Sequence, residues 1–183
     1  MLYTRKGDAG TTGTFGCDQR ISKSSAIAEA LGALDEINSL LGICKVKTNG
    51  LQLTASNRNA GEVVGEVQQN LFIIQAEMAG AEKTIMKEKV EAIEKIIDDM
   101  EKELPPITTF FVSGGTELAS TFDFARTLAR RAERRVVQVS EEGDRKVGGH
   151  TLAYLNRLSS LLYALARYAN HKTGIEEEKP SYK

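Results

Sequence analysis

The stretch that decides the fold is residues 121–137, which read TFDFARTLARRAERRVV. Five of its residues are arginines, and the absence of glycine and proline favours a helix. At about 100° per residue, its small and aliphatic side chains fall on one face, extended by one valine beyond the stretch. They are Ala125, Leu128, Ala129, Ala132, Val136 and Val139. This face predicts packing against other helices.

The charged residues of the arginine helix lie along the two borders of that apolar face. Their order is Arg126, Arg130 and Glu133 on one border, Arg131 and Arg135 on the other, and Arg134 between them. A guanidinium beside a core face stays charged and needs an anion, a carbonyl group or water. Two interpretations remain open at this point, a polyanion site in a groove between helices or a solvated charged face.

Length and composition favour one intracellular domain. The chain has 183 residues, with 24 Lys plus Arg against 25 Asp plus Glu, so the arginine cluster is a local feature of a balanced molecule. That balance argues against a general nucleic-acid binder. The two cysteines suggest no disulfide framework, and no segment has the apolar length of a membrane span or a signal peptide. We expect a cytoplasmic protein with no membrane partner.

The N-terminal segment is rich in glycine, threonine and aspartate and reads MLYTRKGDAGTTGTFGCDQR over residues 1–20. Glycines at 7, 10, 13 and 16 leave backbone amides available to converge on an anion. Neither the GxxxxGK[ST] pattern nor the GxGxxG pattern is present. Arg5, Lys6 and Lys23 add positive charge, so a phosphate cradle and an ordinary glycine-rich loop both remain open.

Apolar residues at three- and four-residue spacing predict four more helices. One starts at a capping serine among residues 22–25 and runs to about residue 44, with Asp35, Glu36 and Asn38 on its polar side. The others span about 60–83, 86–104 and 147–172, and the arginine helix spans 116–141. Together they predict one all-α domain, an antiparallel five-helix bundle that is ferritin-like in outline.

Three segments of this single domain are distinguished by their composition. Residues 1–22 form the glycine-rich loop, residues 23–173 form the bundle, and residues 174–183 form a tail that we expect to be frayed. His150 and His171 lack the Glu-x-x-His spacing of di-iron bundles, so no metal site is predicted.

Two parts of the predicted bundle are candidates for lining a site. The short segment 107–115 carries Phe110 and Phe111 and ends in two glycines, so it is either a connector or the lip of a pocket. The last helix has a polar stripe opposite its leucines, suited to a site or a subunit contact. The stripe consists of Asn156, Ser159, Tyr163, Arg167 and Asn170.

The motifs in these segments together resemble the PduO-type ATP:cob(I)alamin adenosyltransferase family. At the N-terminus the resemblance rests on Tyr3-Thr4-Arg5-x-Gly7-Asp8-x-Gly10-x-Thr12, Arg20-x-x-Lys23 and Gly32-x-x-Asp35-Glu36-x-Asn38. Towards the C-terminus it rests on the Phe110–Gly115 segment, the Arg-Arg-Ala-Glu-Arg core at 130–134, and Asn156-Arg157-Leu158-Ser159. The pairing of the N-terminal loop with the arginine helix carries most of the specificity.

The resemblance implies a homotrimeric five-helix bundle that moves the 5′-deoxyadenosyl group of ATP to cob(I)alamin and releases tripolyphosphate. Magnesium would accompany ATP, and a corrinoid reductase is a possible partner. The implied ATP-binding residues are Thr4, Arg5, Lys6, Gly7, Asp8, Gly10, Thr12, Gly13, Lys23, Arg130, Arg131, Glu133, Arg134 and Asn156. The implied catalytic residues are Arg130, Arg126 and Asp35, of which the last two form a salt bridge between subunits, and Phe110, which packs on the corrin.

The chain departs from the family pattern at two places. Val112-Ser113 replaces the usual Leu-Pro before the two glycines, and Ser160 stands where an aspartate commonly follows the Asn-Arg-Leu-Ser motif. Phe110 is preferred to Phe111 as the corrin-facing residue on spacing alone. Two other hypotheses remain, a regulatory bundle that binds ATP without catalysis and a structural trimer whose arginines pair with acidic neighbours.

Overall fold

The structure, a computed structural model, describes residues 2–14 and 20–182. Its elements confirm the predicted antiparallel five-helix bundle. The helices are α1 (Ala26–Lys47), α2 (Ala60–Ala79), α3 (Lys87–Glu101), α4 (Glu117–Glu141) and α5 (Gly149–Lys172). Helix α1 packs against α2 and α4, while α5 packs against α3 and α4. The arginine helix α4 therefore lies between α1 and α5.

Polar caps fix most of the helix starts close to the predicted positions. The side chain of Ser25 accepts a hydrogen bond from the backbone N–H of Ala28, and Thr116 does the same for Ala119. The end of α2 differs from the prediction, because Gly80 adopts a left-handed φ of 103° and stops the helix. Helix α3 likewise stops three residues before the predicted end.

The core is apolar and contains the predicted face of α4. Ala125, Ala129, Ala132, Val136 and Val139 are fully buried, as the helical spacing predicted, while Leu128 is partly buried at the edge of the core. Close packing of alanines brings the α4 backbone near its neighbours, so the arginines on its borders are held at the surfaces of α1 and α5.

The short loops contain two small hairpins that the sequence did not predict. Strand β1 (Thr11–Gly13) pairs antiparallel with β2 (Arg20–Ser22), and β3 (Gln52–Leu53) pairs with β4 (Arg58–Asn59). Strands of two or three residues are too short to show an alternating pattern. Gly16 and Cys17, which the sequence analysis considered, lie outside the described residues.

Several residues of the polar faces predicted for α1 and α5 are buried. Asn38 of α1 is buried, and its carbonyl oxygen accepts a hydrogen bond from Nε2 of Gln68 on α2 at 3.1 Å. Three members of the α5 stripe are also buried, namely Ser159, Arg167 and Asn170. The stripe is covered because the segment between α3 and α4 and the C-terminal tail both lie on it.

The prediction of a frayed tail was also wrong for the described part of it. The carboxylate of Glu177 accepts two hydrogen bonds from Nε of Arg167, at 3.0 and 2.9 Å. The backbone N–H of Val112 donates to the carbonyl oxygen of Glu178 at 2.8 Å. Five of the ten residues of the tail are charged, which suggested fraying, but the buried guanidinium of Arg167 supplies a fixed partner for one of those charges.

Two further properties concern the chemistry of the chain rather than its packing. Burial raises the pKa of the Cys44 thiol on α1 to about 11. Across residues 2–14 and 20–182, none of the helices is long and apolar enough to cross a membrane.

Candidate active site

A cavity of about 810 Å³ lies between α4, α5 and the segment that connects α3 to α4. It brings together arginines, serines and aromatic residues from distant parts of the chain. The lining consists of Ile107, Thr108, Thr109, Phe110, Phe111, Arg126, Arg130, Ser159, Ser160, Tyr163 and Tyr182. The segment is thus the lip of a pocket, one of the two alternatives that its sequence left open.

The arginines of α4 divide between two neighbouring helices, as their order on the helix predicted. Arg126 and Arg130 line the cavity beside α5. Arg131 instead forms an ion pair with Glu36 of α1, and Arg135 lies 3.6 Å from the carboxylate of Glu29 on the same helix. Only the first border is therefore placed to meet a ligand in this cavity.

The remaining predicted residues of α4 and α5 do not line the cavity but lie about one helical turn from Arg130 or Ser159, which do. Nδ2 of Asn156 donates a hydrogen bond to the carboxylate of Glu133 at 2.9 Å, which links the two helices. Oδ1 of the same asparagine accepts from Arg157 at 2.7 Å. Arg134 is exposed and makes no salt bridge among the described residues. Its charge is available to an external anion.

The two adjacent phenylalanines have different surroundings. The side chain of Phe110 is 78% exposed at the open rim of the cavity. Phe111 is partly buried, and its ring lies 5.3 Å from the guanidinium carbon of Arg167. Since only Phe110 presents most of its ring to an incoming ligand, the geometry favours it over Phe111 as the ligand-facing residue.

The N-terminal residues form a compact turn followed by the β1–β2 hairpin. Arg5 has a φ of 60° and Gly10 a φ of 76°, and the Gly10 N–H donates to the carbonyl of Gly7 at 3.1 Å. Arg20 ties the turn to the hairpin, because Nη2 donates to the carbonyl oxygens of Lys6 and Thr11 at 2.7 Å each.

Basic and polar groups meet on one side of this turn. Lys23 packs closely on Gly7, because a Cβ atom placed on this glycine would lie 3.0 Å from Nζ of the lysine. The other predicted phosphate-binding residues share the same turn and strand, namely Thr4, Arg5, Lys6, Asp8, Gly10, Thr12 and Gly13. None of these described loop residues lines the α4–α5 cavity of the same chain.

Asp35 and Arg126, the predicted salt-bridge partners, lie apart in the single chain. Asp35 is exposed and lines a different depression of about 620 Å³, together with Phe72 of α2. Nε of Arg126 lies 3.4 Å from the carboxylate of Asp123, and its guanidinium carbon lies 6.0 Å from the centre of the Tyr163 ring. A pairing of Asp35 with Arg126 would need a second copy of the chain.

The cavity contains one tyrosine whose pKa is shifted by its surroundings. Burial raises the pKa of the Tyr163 hydroxyl, which therefore stays protonated at neutral pH. Over the described ranges, no group of three or more His, Cys, Asp or Glu side chains is arranged to hold a metal ion. The arrangement suits binding of a polyanion beside an aromatic surface.

Three residues shape the site without having been assigned a role in it: Arg20 stood only in the family motif, Arg167 only in the polar stripe of α5, and Tyr182 in neither. Tyr182 reaches the cavity from the tail, Arg20 fixes the N-terminal turn, and Arg167 holds Phe111. The motif and the stripe were the signals that the sequence offered for the two arginines. Tyr182 carried none, because its role depends on the docking of the tail.

The fold and cavity define a class of helical-bundle proteins with an arginine-lined cavity next to an aromatic lip. The sequence model of the cobalamin adenosyltransferase family matches residues 2–169. The chain belongs to this family. Comparison with individual relatives supports the same assignment.

The corrinoid adenosyltransferase PduO of Citrobacter freundii is 41% identical over 177 residues, which cover 93% of this chain and 50% of that protein. The Salmonella typhimurium PduO is also 41% identical, with 48% of its length covered. This chain thus spans about half the length of these two relatives. The corrinoid adenosyltransferase of Bacillus subtilis is 35% identical, with 95% of this chain and 89% of that protein covered.

Solved structures have the same fold. A variant of the PduO-type ATP:corrinoid adenosyltransferase from Lactobacillus reuteri, complexed with cobalamin and ATP, aligns with a TM-score of 0.86 at 30% identity. The alignment covers 100% of this chain and 97% of that one. A second variant of the same enzyme, complexed with ATP, aligns with a TM-score of 0.84.

Proposed function

We propose that this chain transfers the 5′-deoxyadenosyl group of ATP to the cobalt of cob(I)alamin. The electron pair of cobalt(I) forms the cobalt–carbon bond while the bond between C5′ and its oxygen breaks. The products are adenosylcobalamin and tripolyphosphate. The observation that carries the proposal is the cavity in which Arg126 and Arg130 lie beside the exposed ring of Phe110, in a chain of this family.

The chemistry of the reaction matches the kinds of residue in the site. Cob(I)alamin is a strong nucleophile, so the protein needs no general base and must mainly align the two substrates. Negative charge grows on the triphosphate as the bond breaks, so fixed cations lower the barrier most if they contact that group. Arg130, together with Lys6 and Lys23 of the N-terminal turn, would supply those cations.

Mg²⁺ would enter with ATP, because this ion keeps much of its coordination on phosphate oxygens and water. The predicted ATP residues Arg131 and Glu133 make contacts within the chain, to Glu36 and Asn156 respectively. We therefore propose that they position α4 against its neighbours. Direct contact with ATP would fall to Arg130 and Arg134.

The corrin ring would lie against the lip of the cavity. Phe110 is exposed there, and Ile107 and Tyr182 extend the apolar surface. An aromatic ring on the lower face of the corrin would displace the lower cobalt ligand and favour four-coordinate cob(II)alamin. That state is easier to reduce to cob(I)alamin, for which we propose a corrinoid reductase as electron donor in the cytoplasm.

We further propose that the site is completed by a second subunit, in a homotrimer. The N-terminal turn and the α4–α5 cavity are separate groups in one chain, which suits a site shared between two copies. Phe72, which lines the same depression as Asp35, and Phe124, two residues before Arg126 on α4, are each 58% exposed. Burial of the part that is still exposed would stabilise the assembly by roughly 1–2 kcal/mol per ring, and the contact between subunits would bring the two charges together.

Anaerobic turnover tests the proposed reaction. Purified protein is mixed with ATP, Mg²⁺ and chemically reduced cobalamin, and adenosylcobalamin and tripolyphosphate are measured. We expect the two products in equal amounts. Binding of ATP with no cobalamin-dependent spectral change would instead support the regulatory bundle, and the adenosyltransferase proposal would be abandoned.

A further inference from the structure

Arg167 on α5 is a buried cation that the proposed reaction does not use. Only 4% of the residue is exposed. Removing a guanidinium from water is costly unless its hydrogen bonds and charge are matched by the protein. The groups that satisfy it therefore reveal which segments the chain holds together at this point.

The partners of Arg167 come from two separate segments. From the tail, Glu177 accepts from Nε at 3.0 and 2.9 Å and lies 2.9 Å from Nη2. From the connection after α3, the carbonyl oxygen of Pro105 accepts from Nη2 at 3.0 Å. The ring of Phe111 lies 5.3 Å from the guanidinium carbon, within range of a cation–π interaction.

These contacts hold the segment on both sides of Phe110. Pro105 precedes it and Phe111 follows it directly, and both contact Arg167. One residue further on, the N–H of Val112 donates to the carbonyl of Glu178 in the tail. The exposed ring of Phe110 therefore projects from a segment whose backbone is fixed by α5 and the tail.

We infer that Arg167 is a positioning residue for the corrinoid, acting through Phe110. Paired with Glu177, it clamps the lip segment so that the Phe110 ring is preorganised at the cavity rim. The inference rests on the proposed function, because it assigns Phe110 to the corrinoid. It also makes the C-terminal tail a part of the corrinoid site, since Glu177 supplies the counter-charge.

A purely structural role for Arg167 makes a different prediction. If the ion pair only stabilises the fold, its loss lowers thermal stability and affects both substrates alike. If it positions Phe110, its loss weakens the corrinoid step while ATP binding, which uses the N-terminal turn and α4, stays intact. A rise in the KM for the corrinoid with an unchanged KM for ATP would indicate the positioning role, and equal changes in both would indicate the structural role.

The test compares Glu177→Gln with wild type and with the matched control Glu103→Gln. Glu103 also accepts from α5, from Tyr168 and Lys172, but its hydrogen bonds in the described part of the chain involve neither Arg167 nor residues 105–113. Arg167→Lys is the second variant, because lysine keeps the charge without the planar fork. Each protein is measured for both KM values, for hydrogen exchange over residues 105–113, and for the spectrum of bound cob(II)alamin with ATP.

We expect Glu177→Gln to raise the KM for the corrinoid about tenfold, equivalent to about 1.4 kcal/mol, with the KM for ATP within about twofold of wild type. In the Glu177→Gln variant, hydrogen exchange over residues 105–113 should accelerate and the four-coordinate fraction of bound cob(II)alamin should fall. The Glu103→Gln variant should show neither change. Equal changes in both KM values, or an unchanged corrinoid KM, would overturn the positioning role alone. A wild-type protein that forms no adenosylcobalamin would overturn the proposed function and this role with it.

Discussion

Substitution of Gly115 by alanine tests how the lip segment is joined to the bundle. Gly115 has a left-handed φ of 96°, and a Cβ atom there would lie 2.4 Å from Oδ1 of Asn170. That asparagine is buried on α5 and makes two hydrogen bonds of 2.9 Å, to the carbonyl of Gly114 and from the N–H of Thr116. The added methyl group cannot fit unless Asn170 moves.

The magnitude follows from two contributions. The left-handed backbone costs an alanine roughly 1–2 kcal/mol. Displacement of Asn170 breaks its two hydrogen bonds, each worth about 1 kcal/mol net, and more if a buried group is left unpaired. We expect Gly115→Ala to lower the free energy of unfolding by about 3–4 kcal/mol, or the Tm by about 10 °C for a chain of this size.

The assay is thermal unfolding of Gly115→Ala beside Gly143→Ala. Gly143 also has a positive φ, of 77°, but a Cβ atom there would meet nothing within 4 Å. Gly143→Ala should lower the free energy of unfolding only by the cost of the left-handed backbone, about 1–2 kcal/mol. In an Asn170→Ala background the extra cost of Gly115→Ala should disappear, because the obstacle is gone. Equal losses at the two glycines, or an undiminished loss in that background, would refute the reasoning.

Three further predictions concern the site and the core. Arg130→Lys should lower kcat/KM by about 10- to 100-fold with an unchanged Tm, whereas Arg135→Lys, on the α1 side, should leave turnover near wild type. Asp35→Asn and Arg126→Ala should each impair turnover, and the double variant should be little worse than either, since strictly additive losses would exclude a shared pair. Because the Cys44 thiol has a raised pKa of about 11, roughly one part in a thousand is thiolate at pH 8. Peptide mapping should find it unmodified by iodoacetamide until the protein unfolds, and rapid labelling of the folded chain would contradict its burial.

The helices were predictable from the sequence because their signals are local. The apolar face of α4 and its capping residue Thr116 are both visible in the spacing and type of residues. The same spacing assigned Arg126 and Arg130 to one border of α4 and Arg131 and Arg135 to the other, without knowledge of which helices pack beside them. Helical geometry alone fixes which residues share a border.

The features that were mispredicted depend on contacts between distant segments. The polar stripe of α5 was predicted to line a site or a subunit contact, but Arg167 and Asn170 are buried because loops that carry no regular pattern cover them. The tail looked frayed because its composition is charged, yet Glu177 meets a buried cation. No local pattern records such a pairing, since its partners are ten or more residues apart and one lies in a helix.

The account requires one triphosphate to meet the N-terminal turn of one subunit and the arginine helix of another. The most direct measurement is a crystal structure of the protein with ATP and Mg²⁺. We predict the triphosphate between Lys6, Gly7 and Lys23 of one copy and Arg130 of its neighbour, with the ribose directed towards Phe110. A triphosphate bound away from either group, or held by one chain alone, would contradict the account.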